Sequence, residues 1–245
     1  MKTIVIIPSR MASQRFPNKP LAMINGVTMI ERVWQQAINS NIGNVYVACC
    51  EKEVFELITD KGGNAIMTDP NLPSGTDRVF AGFEKIQNTE KLDSIINLQG
   101  DMPLINSDDI AKVNEPIING YSIGTLGTDL NSIQEENINI TKVKINWDKE
   151  NKIGDAVDFY KKSKGILKNI YQHVGIYSFK PSALNNFVKL SQSKNELEKQ
   201  LEQLRAIDAG IKIGISYVEN VPLSVDTKED LNHIESIIKE TNDKY

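Results

Sequence analysis

Cysteine is almost absent from this 245-residue chain, and the two that occur, Cys49 and Cys50, are adjacent. Neighbouring thiols cannot staple distant segments, which excludes a disulfide framework and a cysteine-built zinc site. Histidine is as scarce, at His173 and His233, with no His-x-x-x-His pair. The Gly-x-Ser-x-Gly elbow and the Gly-x4-Gly-Lys-Ser/Thr loop are both missing, which removes support for a serine hydrolase or a Walker-type NTPase. No stretch approaches the roughly 20 apolar residues of a membrane helix. The apolar run before Pro8 falls short of a signal-peptide core of about 7–15 residues. A basic excess is lacking too: 28 Lys and Arg against 32 Asp and Glu leave a formal net charge of −4. Binding to a phosphate backbone demands the opposite balance. The expectation is a cytoplasmic protein in reducing surroundings, with neither a nucleic acid nor a membrane as partner.

What is present is an alternation of strand-like and helix-like segments, the signature of a parallel sheet covered by helices. Thr3–Ile7 is a β-branched apolar run stopped by Pro8. Met29–Ala37 sets Met29, Ile30, Val33, Trp34 and Ala37 on one helical stripe. Asn44–Cys49 reads as a strand, Glu51–Lys61 as a helix closed by Gly62-Gly63, and Ala65–Thr68 as a short strand. A helix over Asp77–Ile86 precedes Ser94–Leu98, an apolar strand of the kind buried on both faces. The second half is less regular. It predicts a helix at Ser107–Val113, strands at Tyr121–Leu126, Thr141–Trp147 and Tyr171–Phe179, several of them antiparallel, and a long helix over Glu196–Ala209. A strand at Ile211–Val218 and a helix over Thr227–Lys239 complete the chain. The expected fold is α/β. One domain spans residues 1–245, with a doubly wound, mostly parallel sheet and a small antiparallel sub-sheet inserted at about 120–180.

Several segments carry residue types suited to chemistry. The loop from Pro8 to Pro20 follows the first strand and holds Arg10, Arg15 and Lys19. Ligands of open α/β sheets sit outside the carboxyl ends of strands, and clustered cations there suit a polyphosphate; a solvated basic loop is the plainer reading. Asn97-Leu98-Gln99-Gly100-Asp101 runs a strand into a Gly-Asp turn. That puts a carboxylate at the same edge, where Mg²⁺ would take it together with substrate phosphate; an ordinary turn aspartate explains it equally well. Ser74-Gly75-Thr76-Asp77-Arg78 opens a helix and serves as a cap, an anion site, or both. Val225-Asp226-Thr227-x-x-Asp230 has the spacing of a capping box, which by itself accounts for those residues. His173 in a strand is more often structural than a ligand, His233 belongs to a solvated helix face, and Glu202 with Arg205 has the i, i+3 spacing of a surface pair.

Taken in order, five blocks make the chain resemble the CMP-sugar synthetases, and most closely the 3-deoxy-manno-octulosonate (Kdo) cytidylyltransferases. The blocks are IIPSRMASQRFPNKPL, PSGTDR, INLQGDMPLI, HVGIYSF, and LEQLRAIDAG with VPLSVDTKEDL, and they span nearly the whole chain. The resemblance implies a single cytidylyltransferase domain of the nucleotide-diphospho-sugar transferase-like class. It implies transfer of CMP from CTP to the anomeric hydroxyl of Kdo with release of pyrophosphate, for lipopolysaccharide biosynthesis, by a homodimer. Arg10, Lys19 and Asp101 would be catalytic. Arg10, Ala12, Ser13, Lys19, Pro73, Ser74 and Gly75 would bind CTP. Asp101 and Asp226 would hold Mg²⁺. The sugar would meet Arg78, Gln99, His173, Glu202 and Gln203. Three positions depart from the family pattern. Met102 replaces a common Glu, residues 156–162 replace an aromatic Ser-Arg strand, and Leu223-Ser224 replaces a Gly. The second departure leaves 8-amino-Kdo or a sialic-acid-like sugar open as acceptor. A non-catalytic CTP-binding module is the remaining alternative.

Overall fold

The computed structural model describes residues 1–12, 15–148, 153–162 and 168–242. The elements in chain order begin with β1 (Thr3–Pro8), β2 (Met23–Ile24), β3 (Val27–Thr28), α1 (Met29–Asn39), β4 (Gly43–Cys49), α2 (Lys52–Asp60) and β5 (Asn64–Met67). Then come α3 (Gly75–Phe83), β6 (Ser94–Asn97), α4 (Ser107–Lys112), α5 (Glu115–Ile118), β7 (Ile123–Thr128), α6 (Ser132–Glu136), β8 (Lys142–Trp147) and β9 (Ile153–Tyr160). The last are β10 (Ile170–Phe179), α7 (Pro181–Lys189), α8 (Lys194–Lys199), α9 (Leu204–Asp208), β11 (Ile213–Tyr217) and α10 (Lys228–Asn242). The class is mixed α/β. The chain divides into two compact units: one of Lys2–Leu92, Asn97–Ile110 and Pro222–Tyr245, the other of Met1, Asp93–Ile96 and Ala111–Val221.

In the first unit β5, β4 and β1 pair in parallel, with Val5 opposite Val45 and Val47 opposite Ala65. The apolar stripe of α1 is buried as its spacing predicts, through Met29, Ile30, Val33, Trp34 and Ala37. Thr28 caps that helix by accepting the Glu31 N–H at 3.4 Å. β2 and β3 form a two-residue hairpin absent from the expectations above. Its Asn25-Gly26 turn has φ of 46° and 77°, the left-handed pair that a type I′ turn requires. The hairpin is tied to α10: Asn25 donates from its backbone to Glu235 Oε1 at 3.0 Å and from its amide to Glu235 O at 3.2 Å. Ile24, Met29, Val225, Leu231 and Ile234 form one buried cluster that joins hairpin, α1 and α10.

In the second unit β7 pairs in parallel with β11 and antiparallel with β10, and β9 pairs antiparallel with β11 and β8. β8 also pairs with the start of β10, so these five strands close a ring of pairings. Antiparallel ladders prevail here, whereas in the first unit β5, β4 and β1 pair in parallel and only the short β2–β3 hairpin is antiparallel. β9 is a strand beyond those expected. Its sequence IGDAVDFY mixes acidic and apolar residues without strict alternation, so its partners β8 and β11 decide it.

The single helix expected over Glu196–Ala209 is corrected. α8 ends at Lys199, Gln200 takes φ 53° and ψ 50°, and α9 starts at Leu204. The cause is tertiary. Arg205 and Glu196 are both buried and paired, Arg205 Nε reaching Glu196 Oε2 at 2.9 Å and Nη2 reaching Oε1 at 2.5 Å. Lys199 is bound to Asp158 at 3.0 Å through both carboxylate oxygens. The chain turns between these two anchors. Arg205 also keeps the i, i+3 ion pair with Glu202, at 4.0 Å, but from a buried position.

Candidate active site

The first unit contains a cleft of about 920 Å³ at the carboxyl end of β1. Two backbone approaches build it. Leu98 N–H donates to Ile6 O at 3.2 Å, which sets the segment starting at Leu98 beside β1. A Cβ on Gly100 would lie 3.0 Å from Pro8 O, so that close approach favours glycine. Asp101 is thereby delivered beside the loop that leaves β1. The second carboxylate arrives from more than a hundred residues away. Val225 N–H donates to Asp101 O at 2.9 Å, and Val225 is anchored in the cluster under α10.

Lys19 stands where these segments meet. Its Nζ donates to Asp101 Oδ2 at 2.9 Å and to Val225 O at 2.8 Å, and lies 3.7 Å from Asp226 Oδ1. Arg15 adds an exposed contact to Asp226 Oδ1 at 3.0 Å. The two aspartates proposed as metal ligands therefore converge on one point. Asp226 also proves separable from the cap. Thr227 and Asp230 form the capping pair, Asp230 N–H donating to Thr227 Oγ1 at 3.2 Å and Thr227 N–H donating to Asp230 Oδ2 at 2.8 Å. That leaves the Asp226 carboxylate facing the cations.

The other candidates fall into two groups. Arg10, Ala12, Ser74, Gly75, Arg78 and Gln99 line the cleft with Lys19, Asp101 and Asp226. Pro73 is exposed and is not among the lining residues, and Ser13 lies outside the described residues. The Ser74 hydroxyl accepts the Asp77 N–H at 3.1 Å and donates to Asp77 Oδ2 at 2.6 Å, so it caps α3 whatever else it does. Arg78 is only 2% exposed. Its Nη1 donates to Thr68 Oγ1 at 2.5 Å and Asp69 O at 3.2 Å, while Nη2 finds no hydrogen-bond partner among the described residues. Gln99 donates to Asn97 Oδ1 at 2.8 Å.

His173, Glu202 and Gln203 belong to the second unit. His173 lies on β10, its ring 5.1 Å from Phe159 and 5.5 Å from Tyr177. Burial drives its pKa down to about 3, so the ring is neutral at physiological pH. Nε2 is 3.0 Å from Thr125 Oγ1, and that hydroxyl is also 2.7 Å from Ile176 O. A hydroxyl has one hydrogen. If it goes to the carbonyl, Nε2 carries the imidazole proton and Nδ1 is an acceptor. Burial, and then the charge of Glu202, push the Tyr177 hydroxyl well above its ordinary range.

One contributor escaped the sequence reading. Glu51 Oε1 accepts the Met11 N–H at 2.9 Å, and Asn18 N–H donates to Met11 O at 3.2 Å. These bonds pin the loop carrying Arg10 and Lys19 at both ends. A residue next to the start of a helix offers no sequence signal for a contact 40 positions away.

Residues 4–213 match the cytidylyltransferase family. The 3-deoxy-manno-octulosonate cytidylyltransferase of Paramagnetospirillum magneticum is 37% identical over 241 residues, covering 96% of this chain and 97% of the relative. That of Rickettsia rickettsii is 40% identical over 234 residues, covering 93% of each. The chain belongs to the 3-deoxy-manno-octulosonate cytidylyltransferase family. A solved structure, that of CMP:2-keto-3-deoxy-manno-octonic acid synthetase complexed with CTP, superimposes with a TM-score of 0.89 at 30% identity, covering 98% of this chain and 100% of that one. Among the described residues of this family member, no helix is long and apolar enough to cross a membrane.

Proposed function

We infer that this chain transfers CMP from CTP to the anomeric hydroxyl of Kdo, giving CMP-Kdo and pyrophosphate. The observation that carries the reading is the meeting of Lys19, Asp101 and Asp226 in the cleft beneath a cationic loop. In the reaction the hydroxyl oxygen bonds to the α-phosphorus, the bond from that phosphorus to the bridging oxygen breaks, the hydroxyl proton passes to solvent, and pyrophosphate leaves with the bond electrons. No carbon is oxidised or reduced. The demand on the protein is to position two polyanionic reactants and to offset charge that grows on phosphate oxygens.

Arg10 and Lys19 are read as the phosphate-binding cations, and Ala12 with the Ser74-Gly75 turn as the nucleoside side of the cleft. Asp101 and Asp226 suit Mg²⁺, a hard cation that takes one or two carboxylates and completes its shell with water and substrate phosphate. Both carboxylates reach within 3.7 Å of a single cationic nitrogen, so the donor set fits the ion. Bound there, Mg²⁺ would supply Lewis-acid neutralisation of the phosphate oxygens. Lys19 and Arg15 face the two aspartates with one positive charge each. Arg78 and Gln99 are read as contacts to the acid sugar, the guanidinium complementing its carboxylate. The neutral His173 ring suits a hydroxyl better than a carboxylate.

The same reading takes the chain as one cytidylyltransferase domain built on a doubly wound, mostly parallel sheet with an inserted sub-sheet. It acts as a cytoplasmic homodimer in lipopolysaccharide biosynthesis, with small molecules rather than nucleic acid or membrane as partners. The test is pyrophosphate release by the purified protein with CTP, Mg²⁺ and an acceptor panel of Kdo, 8-amino-Kdo and a sialic acid. Release with Kdo above the others supports the proposal. Release only with another acid sugar reassigns the acceptor, and none above background with any acceptor rejects the reaction.

A further inference from the structure

From Asp226 the chain passes through the Thr227–Asp230 cap into α10, and α10 packs against the β2–β3 hairpin, which follows Lys19 in the chain. That contact has two parts. One is apolar: Leu231 and Ile234 of α10, 7% and 1% exposed, share a cluster with Ile24, Met29 and Val225. Apolar burial is non-directional, so it draws the helix in without fixing how far it slides or rolls. The other part is polar and directional. At the hairpin tip Asn25 donates its backbone N–H to Glu235 Oε1 at 3.0 Å and its side-chain amide to Glu235 O at 3.2 Å. One turn residue thus grips both the side chain and the main chain of one helical position. The hairpin is itself fixed to α1, because Arg32 donates to Ile24 O from Nε at 3.0 Å and from Nη2 at 2.6 Å, and Met29 N–H donates to Ala22 O at 2.9 Å. Glu235 therefore ties α10 to the frame that carries Lys19. At the start of α10, Asp230 Oδ2 accepts the Asp226 N–H at 2.9 Å, so a displacement of the helix is passed to Asp226 through a backbone bond.

We propose that Glu235 is a positioning residue for the metal site: its clasp on Asn25 holds α10 where the Asp226 carboxylate meets Asp101 at Lys19. The inference rests on the reading of Asp101 and Asp226 as the Mg²⁺ carboxylates, and extends it to a residue that does not line the cleft. Mn²⁺ is the probe, since it takes the same oxygen donors. Protein-bound Mn²⁺ is measured by electron paramagnetic resonance in wild type, Glu235→Ala and Glu235→Gln, with CTP present and no acceptor sugar, after subtraction of the Mn²⁺ that CTP binds alone. Depopulating the metal-binding arrangement weakens the apparent affinity in proportion, and the worth of one hydrogen bond bounds the factor. The expected result in Glu235→Ala is a Mn²⁺ Kd raised about two- to fivefold. Glu235→Gln, whose amide oxygen still accepts the Asn25 N–H, should match wild type, and CTP affinity in EDTA should be the same in all three proteins. Asn25→Gly keeps the left-handed turn and removes only the amide donor. It should give a smaller rise, and it carries the test if Glu235→Ala does not fold. Wild-type Mn²⁺ affinity in Glu235→Ala and Asn25→Gly overturns the proposal, even beside a lowered melting temperature, which would make the clasp merely structural. An equal rise in Glu235→Gln overturns it too, as does a matching loss of CTP affinity in EDTA. A wild-type protein that binds CTP but no Mn²⁺ sinks the metal reading itself, which the other outcomes leave standing.

Discussion

Replacing Arg205 by methionine tests why the chain turns between α8 and α9. The Arg205 and Glu196 side chains are 8% and 6% exposed, joined by two hydrogen bonds, and the guanidinium lies 5.0 Å from the centre of the Phe187 ring. Removing one partner of such a pair leaves a buried charge uncompensated and costs about 3–5 kcal/mol. For a chain of this size each kcal/mol lowers the melting temperature by about 2–4 °C, so the expected fall is roughly 6–20 °C. The double variant Glu196→Leu, Arg205→Met removes both charges and should recover most of the loss. Acidity supplies a second signature. Burial alone would raise the Glu196 pKa, but Arg205, the Ser193 N–H and Gln192 together hold it below the ordinary value. A depressed folded pKa gives stability that is present above the unfolded value of about 4.3 and lost as pH falls through the folded value. The gap between wild type and Arg205→Met should therefore narrow in acid. Circular-dichroism melts from pH 3 to 8 read both effects. A fall under about 2 °C at neutral pH, or a gap that widens in acid, would refute the account of this turn.

Asp101→Asn should abolish Mg²⁺-dependent pyrophosphate release, by about a hundredfold or more, with an unchanged far-ultraviolet spectrum; wild-type turnover would refute the metal assignment. Arg78→Ala should raise the KM for the sugar far more than that for CTP and lower the melting temperature, because the guanidinium also holds Thr68 and Asp69; matching KM increases would count against it as a sugar contact. With its pKa lowered to about 3 by burial, His173 is neutral when folded, so its contribution to stability is present above the unfolded value of about 6.5 and lost as pH falls toward 3. Its imidazole proton resonances should accordingly show no titration between pH 5 and 8, and a midpoint in that range would contradict the burial. Burial raises the Cys49 thiol to about 12 and, with the Glu51 hydrogen bond, raises Cys50 as well. Both should react with maleimide at pH 7.5 far more slowly than in urea, and equal rates would show the thiols to be accessible.

Much of the architecture was written locally. The stripe of α1, the cap of α3, the Thr227–Asp230 pair and the apolar β1 and β6 follow from periods and side-chain chemistry within a few positions, so a linear reading reaches them. The order of the motif blocks likewise pointed to the family before any contact was known. Long-range partners decided the rest. Gln200 leaves a helical pattern between residues held by two long-range ion pairs, Lys199 with Asp158 and Arg205 with Glu196, and β9 is a strand because β8 and β11 flank it. Glu51 reaches Met11 only once α2 lies beside the loop. Asp226 illustrates the division most sharply. Its own segment explains it as part of a capping motif, and only the Val225–Asp101 bond, supported by apolar burial under α10, brings it to Lys19. Residue types and spacing determined which groups were available for nucleotidyl transfer. The tertiary structure decided which of them share a cleft, because charges separated by more than a hundred residues interact only after burial of apolar surface has fixed the backbone between them.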